Sequence, residues 1–203
     1  MDGSLPECRA VVTQLPEPSG MLETALWTCA ALATVSMLLW LGNFLSYRVI
    51  KTRVLRERAW DYNICCGETD GGGVNADIAQ FGAIPNFELV TDVTALKHPS
   101  GAFAHVLCSH TLEHVDEPQA MFAELRRVGQ QVTILVPPLW DLAAALNPFE
   151  HRVIFLTWST RHENHLPPYI RYVPARWLQE WRGQRIVAHT PGARLLKALG
   201  LRS

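Results

Sequence analysis

Hydrophobic residues are unevenly spread along this chain. From Thr24 to Tyr47 no charge interrupts the run TALWTCAALATVSMLLWLGNFLSY, 24 residues in all. As an α-helix rising ~1.5 Å per residue it reaches about 36 Å, enough to cross a ~30 Å hydrocarbon core with some tilt. Trp27, Trp40 and Tyr47 stand toward its ends, where amphipathic rings favour the headgroup layer. Ala30, Ala31, Ala33, Thr34 and Ser36 supply small side chains against which another helix can pack. A cleaved signal peptide starts basic and has a shorter apolar core, whereas this N-terminus is acidic. A single transmembrane helix over 24–47 is expected.

Beyond that run, short apolar stretches alternate with helical periodicity. Trp60–Cys65, Phe87–Thr91 and Phe103–Ser109 read as strands, and Gln131–Val136 as a buried strand closed by Pro137 and Pro138. Over Glu117–Val128, Met121, Phe122, Leu125 and Val128 share one face while Glu124, Arg126 and Arg127 fall largely off it, which predicts a helix. A short helix is predicted over Leu139–Leu146 and a strand over Val153–Trp158. A helix opening on proline is predicted over Pro174–Trp181, and a last strand over Arg185–His189. Such alternation predicts an α/β sheet with ligands at the carboxyl ends of its strands.

Charge divides the chain further. Residues 1–23 form an acidic tail, with Asp2, Glu7, Glu17 and Glu23 against Arg9. Residues 48–58 form a basic juxtamembrane segment, with Arg48, Lys51, Arg53, Arg56 and Arg58 against Glu57. One Lys or Arg on one flank against five on the other orients the helix by the positive-inside rule. The domain over 59–203 is thus expected on the cytoplasmic side of a membrane, or the matrix or stroma side in an organelle. The whole chain of 203 residues carries 18 Lys+Arg and 19 Asp+Glu, so it has no general electrostatic case for binding nucleic acid. Five cysteines at irregular spacing exclude a secreted disulfide framework.

One set of motifs carries a resemblance. Tyr62-Asn63-Ile64-Cys65-Cys66-Gly67-Glu68 is followed by Gly71-Gly72-Gly73-Val74-Asn75-Ala76-Asp77-Ile78, then by Leu89-Val90-Thr91-Asp92-Val93. Ser109-His110-Thr111-Leu112-Glu113-His114-Val115 and Glu124-Leu125-Arg126-Arg127-Val128 complete the order. Across roughly Asp61 to Pro138 the chain resembles the class I S-adenosylmethionine-dependent methyltransferases, in their compact type-11-like branch. The resemblance implies a Rossmann-like sheet flanked by helices, here preceded by a transmembrane helix. It implies a cofactor site at Cys65, Gly67 and Ser109, with Asp77 as acceptor for ribose hydroxyls and Asp92 as acceptor for the adenine amino group. It sets Ser109 to His114 beside the methyl acceptor, with His110 or His114 as the base.

The chain also departs from that family. Where Gly-Cys-Gly is usual it has Cys65-Cys66-Gly67, which puts a side chain at the closest backbone approach and restricts φ. The basic-Pro-Gly-Gly turn before the fifth strand is reduced to Gly129-Gln130-Gln131. These changes favour a non-catalytic accessory subunit of a membrane complex, its partners being the bilayer and other subunits. The alternative is an active methyltransferase using S-adenosylmethionine on a lipid, quinone or membrane protein.

Other chemistry is weaker. His110-Thr111-Leu112-Glu113-His114 fits the inverted zinc-protease pattern H-x-x-E-H, which needs both histidines on one helix face. His110 follows a strand directly, so that reading is set aside. His151, His162 and His165 with Glu163 read as parts of polar loops, and no metal is expected. Cys65 and Cys66 lack redox spacing and read as small buried hydrophobes, and Trp158, Trp177 and Trp181 as packing residues.

Overall fold

A computed structural model describes residues 18–172. The predicted elements at Pro174–Trp181 and Arg185–His189, the tail up to residue 17, and Trp177 and Trp181 lie outside the described residues. The chain forms two compact units, one ending at Leu38 and one starting at Leu39.

The first unit is helical. Helix α1 spans Pro18–Asn43, and over Gly20–Leu38 every residue is exposed, including Leu22, Leu26, Trp27 and Leu32. The hydroxyls of Thr24, Thr28 and Thr34 donate to the carbonyls of Gly20, Thr24 and Ala30, one turn back, so these three hydroxyls are satisfied within the helix. The helical run Gly20–Arg56 is long and apolar enough to cross a membrane.

In the second unit the chain widens into a π-helical turn over Phe44–Ile50 and tightens again into α2, Lys51–Arg56. Among the described residues eight strands follow: β1 Trp60–Ile64, β2 Gly72–Asp77, β3 Phe87–Leu89, β4 Phe103–Ser109, β5 Gly129–Leu135, β6 Val153–Phe155, β7 Arg161–Glu163 and β8 Tyr169–Arg171. Helix α3 spans Pro118–Val128 and α4 Leu142–Ala145. Six strands make one sheet in the order β3-β2-β1-β4-β5-β7, parallel except for β7, while β6 and β8 pair separately. The predicted strands around 60–65 and 103–109 are therefore neighbours, in the register Tyr62↔Val106 to Ile64↔Cys108.

The sheet is covered on both faces. Met121, Leu125 and Val128 of α3 meet Val106, Val132 and Ile134. Leu107 and Leu135, which alternate with those residues and so point the other way, pack with Val54 and Trp60. The Trp60 indole N–H donates to the Val54 carbonyl at 3.3 Å, tying α2 to the first strand.

The crossovers depart most from a doubly wound fold. Parallel neighbours ordinarily need a connection of a dozen or more residues, usually a helix. Here β1 and β2 are joined by residues 65–71, and β2 and β3 by residues 78–86, with no helix in either. Side-chain amides do the holding instead. The buried Asn63 amide donates to the Thr69 carbonyl at 3.0 Å and to Asn75 Oδ1 at 3.1 Å. Asn75 Oδ1 also accepts from the Gly71 amide, and its own NH2 group donates to Asp70 Oδ1 and the Pro85 carbonyl. The short link is possible because Gly73 runs against β1, where an added Cβ would lie 2.4 Å from the Trp60 carbonyl oxygen.

The segment WSTRHENHLPPY reads from sequence as a polar loop, and here the structure corrects it. Arg161–Glu163 pairs antiparallel with β5, in the register Thr133↔Glu163 to Leu135↔Arg161. A three-residue polar edge strand has too few positions to show alternation.

Candidate functional site

In a doubly wound sheet the ligand crevice opens at the carboxyl ends of the strands where the order reverses, here β1 and β4. The chain leaves β1 into Cys65-Cys66-Gly67, ends β2 at Asp77 and leaves β4 into His110 to His114, which brings these predicted residues to one edge, whereas Asp92 lies past β3. Cys65, Gly67 and His110 all have left-handed backbones, with φ of 54°, 58° and 53°. Only Gly67 adopts that conformation without a steric cost. Cys65 therefore holds the conformation expected of the glycine it replaces, at a cost of roughly 1–2 kcal/mol.

Asp77 closes the first loop. It ends β2 and is 6% exposed. One of its carboxylate oxygens accepts from the Gly67 amide at 2.8 Å and the other from the Ile78 amide at 2.7 Å. Burial raises its pKa above the ordinary aspartate value, and the amides of Gly67, Ile78 and Ala79 pull the other way. Asp92 lies farther out, past β3. It is exposed, and its Oδ1 accepts from the amide and hydroxyl of Thr94, which closes a local turn and holds its pKa low.

The thiols are inert. Cys65, Cys66 and Cys108 are free. Burial pushes Cys65 well up, Cys66 to about 11 and Cys108 to about 12, so none is a thiolate nucleophile at neutral pH.

The end of β4 is denser in polar groups. Ser109, His110 and Glu113 are all buried, and Ser109 Oγ, both His110 ring nitrogens and Glu113 Oε2 make no hydrogen bond. The His110 ring stacks on Tyr47 at 4.1 Å, and its Nδ1 lies 3.5 Å from Glu113 Oε1. His114 Nε2 approaches the same oxygen at 4.0 Å. The His114 and His151 rings meet edge to face at 4.7 Å. Burial opposes charge on Glu113, but the adjacent His110 and the charges that His114, His110 and His151 carry when protonated outweigh it, bringing the carboxyl to about 2. Burial lowers His110, and lowers His151 to about 4. His110 and His114 do not share a helix, because residues 110–117 form turns and bends.

Sequence reasoning did not single out Asp141, and it read His151 as part of a polar loop, whereas that ring is buried. Asp141 caps α4 by accepting from the Ala144 amide at 3.2 Å and is fully buried. The sequence carries no spacing that ties either residue to the 110–114 motif.

Comparison with known proteins adds a family to this geometry. Residues 52–136 match the methyltransferase domain family, a stretch running from α2 to the end of β5. That stretch is a methyltransferase-like domain. The chain is also similar to an S-adenosylmethionine-dependent methyltransferase from Aquifex aeolicus, at 11% identity over 46% of this chain and 66% of that one, with a TM-score of 0.36. A protein from Pyrococcus horikoshii matches at 16% identity over 69% of this chain and 80% of that one, with a TM-score of 0.39. An S-adenosylmethionine-dependent methyltransferase from Mesorhizobium loti matches at 14% identity over 64% and 69%, with a TM-score of 0.36. The chain spans only about half the length of other solved structures it matches, 43% of one and 55% of another. No curated protein matches it.

Proposed function

We propose that this protein is a membrane-anchored, non-catalytic relative of the methyltransferases that serves as an accessory subunit of a larger membrane assembly. The observation that carries this reading is the engagement of Asp77. An acid that receives ribose hydroxyls must expose carboxylate lone pairs to the crevice, and burial withdraws them even where each oxygen could accept a second bond. Asp77 is buried, and both oxygens are already on the amides of Gly67 and Ile78. The Cys65 side chain and the helix-free first crossover support the same reading, so the residues present do not fit S-adenosylmethionine as arranged.

The remaining parts follow from α1 and its flanks. The exposed apolar surface of Gly20–Leu38 needs an apolar solvent, which a bilayer supplies. Five basic residues over 48–58 against one over 1–23 support a methyltransferase-like domain on the cytoplasmic, matrix or stroma side. The partners are then membrane subunits beside the helix.

The alternative is methyl transfer to a lipid, quinone or membrane protein, and it rests on the family match over 52–136. Labelled S-adenosylmethionine, purified full-length chain and membrane extract decide between the two. The accessory reading expects no transfer above that of a heat-treated control. Transfer that disappears in Asp77→Ala overturns it.

A further inference from the structure

We propose that Glu113, His114 and His151 form a divalent transition-metal site at the carboxyl end of β4, with zinc as the metal their chemistry suits. The inference does not depend on whether the domain binds S-adenosylmethionine.

Three observations carry it. The first is the donor set. One carboxylate and two imidazoles, each with one ligand atom, have those atoms within 4.8 Å of one another, and Glu113 and His151 are buried. Ligand atoms of a tetrahedral zinc ion with bonds of ~2.0–2.1 Å lie about 3.3 Å apart, so the cluster closes by side-chain rotation of about an ångström. Two histidines and a glutamate also leave a fourth position for water or a further ligand.

The second is the tautomer of His114. Its Nδ1 lies 3.1 Å from the Glu150 carbonyl oxygen, which only accepts, so Nδ1 carries the hydrogen. In the neutral ring, the form that binds metal, Nε2 then carries the lone pair and faces Glu113 Oε1 across 4.0 Å. A ring nitrogen fixed by a backbone carbonyl, with the other turned to a carboxylate, is the outer-shell arrangement that orients metal-bound histidines.

The third is Glu113 itself. Its Oε2 is buried without a hydrogen bond, at a residue 1% exposed. A buried carboxylate oxygen left this way is costly, and a cation removes that cost. The site would also clip the loop after β4 to the strand β6 region, because the Glu113 carbonyl already accepts from the amides of Arg152 and Val153.

The pattern differs from the zinc-protease reading of the same motif. His110 is not a ligand here. It faces the Glu113 carboxylate at 3.5 Å and helps position it. The third ligand comes instead from His151, 37 residues past His114.

The test is cobalt and zinc titration of the purified full-length chain in detergent after chelator treatment. The expected result is one metal per chain and cobalt absorption bands of a four-coordinate site. His114→Ala, His151→Ala and the isosteric Glu113→Gln should each weaken binding at least tenfold, with unchanged far-ultraviolet circular dichroism. A double variant of His162 and His165, a second pair with ring centroids 6.0 Å apart, should bind like the parent. The proposal is overturned if the parent binds no stoichiometric metal. It is equally overturned if Glu113→Gln binds as tightly as the parent, or if binding follows His162 and His165.

Discussion

Gly73→Ala is the sharpest perturbation of the short first crossover. The new Cβ would lie 2.4 Å from the Trp60 carbonyl oxygen, 2.7 Å from that of Asp61 and 2.9 Å from the Asp61 Cα. Carbon and oxygen approach to about 3.3 Å at closest, so β2 must retreat from β1 by about 1 Å. These neighbours are backbone atoms and cannot rotate away. A retreat of that size breaks hydrogen bonds on both sides of the pair, at Trp60↔Gly72 and Tyr62↔Val74. Two ladder bonds at about 1 kcal/mol each, plus overpacking at about 1–3 kcal/mol, give a loss of roughly 3–5 kcal/mol. Gly82→Ala is the control, because an added Cβ there meets nothing within 4 Å and its backbone is ordinary. It should stay within about 0.5 kcal/mol of the parent. Urea unfolding in mild detergent, followed by tryptophan fluorescence, reads both. A Gly73→Ala midpoint within about 1 kcal/mol of the parent, at an unchanged slope, would refute the close-packed crossover.

Three further outcomes follow from the same geometry. Cys65→Gly relieves roughly 1–2 kcal/mol of left-handed strain but adds about 0.5–1 kcal/mol of unfolded-state freedom and loses a half-buried thiol, so its unfolding midpoint should stay within about 1 kcal/mol of the parent. Arg127→Ala removes the paired bonds to Glu124 at 2.8 and 2.6 Å and those to the carbonyls of His98 and Leu96, and should cost about 2–3 kcal/mol in the same assay. For Asp77 the folded-state pKa stands above its unfolded value, so the fold favours the protonated acid. Stability from this residue should rise as pH falls through the raised value and level off below about 3.8, and the difference between parent and Asp77→Asn unfolding should trace that step.

The extent to which sequence foretold structure varies with how much pattern each element needs. Phe103–Ser109 is β4 as predicted, and α3 begins one residue inside its expected range, because seven apolar-rich positions and an eleven-residue helical period leave little ambiguity. The strand at Val153–Phe155 ends three residues early. Strands β7 and β8, three residues each, were hidden in a polar stretch. The meeting of Cys65, Gly67 and Asp77 at one edge follows from strand order, which motif order suggested. What stayed illegible was the substitution of an asparagine network for the crossover helices, since Asn63 and Asn75 look like ordinary turn formers until the strands are paired. His151 joined Glu113 only through folding, for no spacing rule connects positions 38 apart on different loops.

The most direct measurement is calorimetric titration of S-adenosylmethionine into the purified full-length chain in detergent. With Asp77 buried and each of its oxygens already accepting from a loop amide, the titration should release no saturable heat, and Cys65→Gly should leave it flat. A one-to-one isotherm with micromolar affinity in the parent chain would contradict the non-catalytic reading and favour methyl transfer.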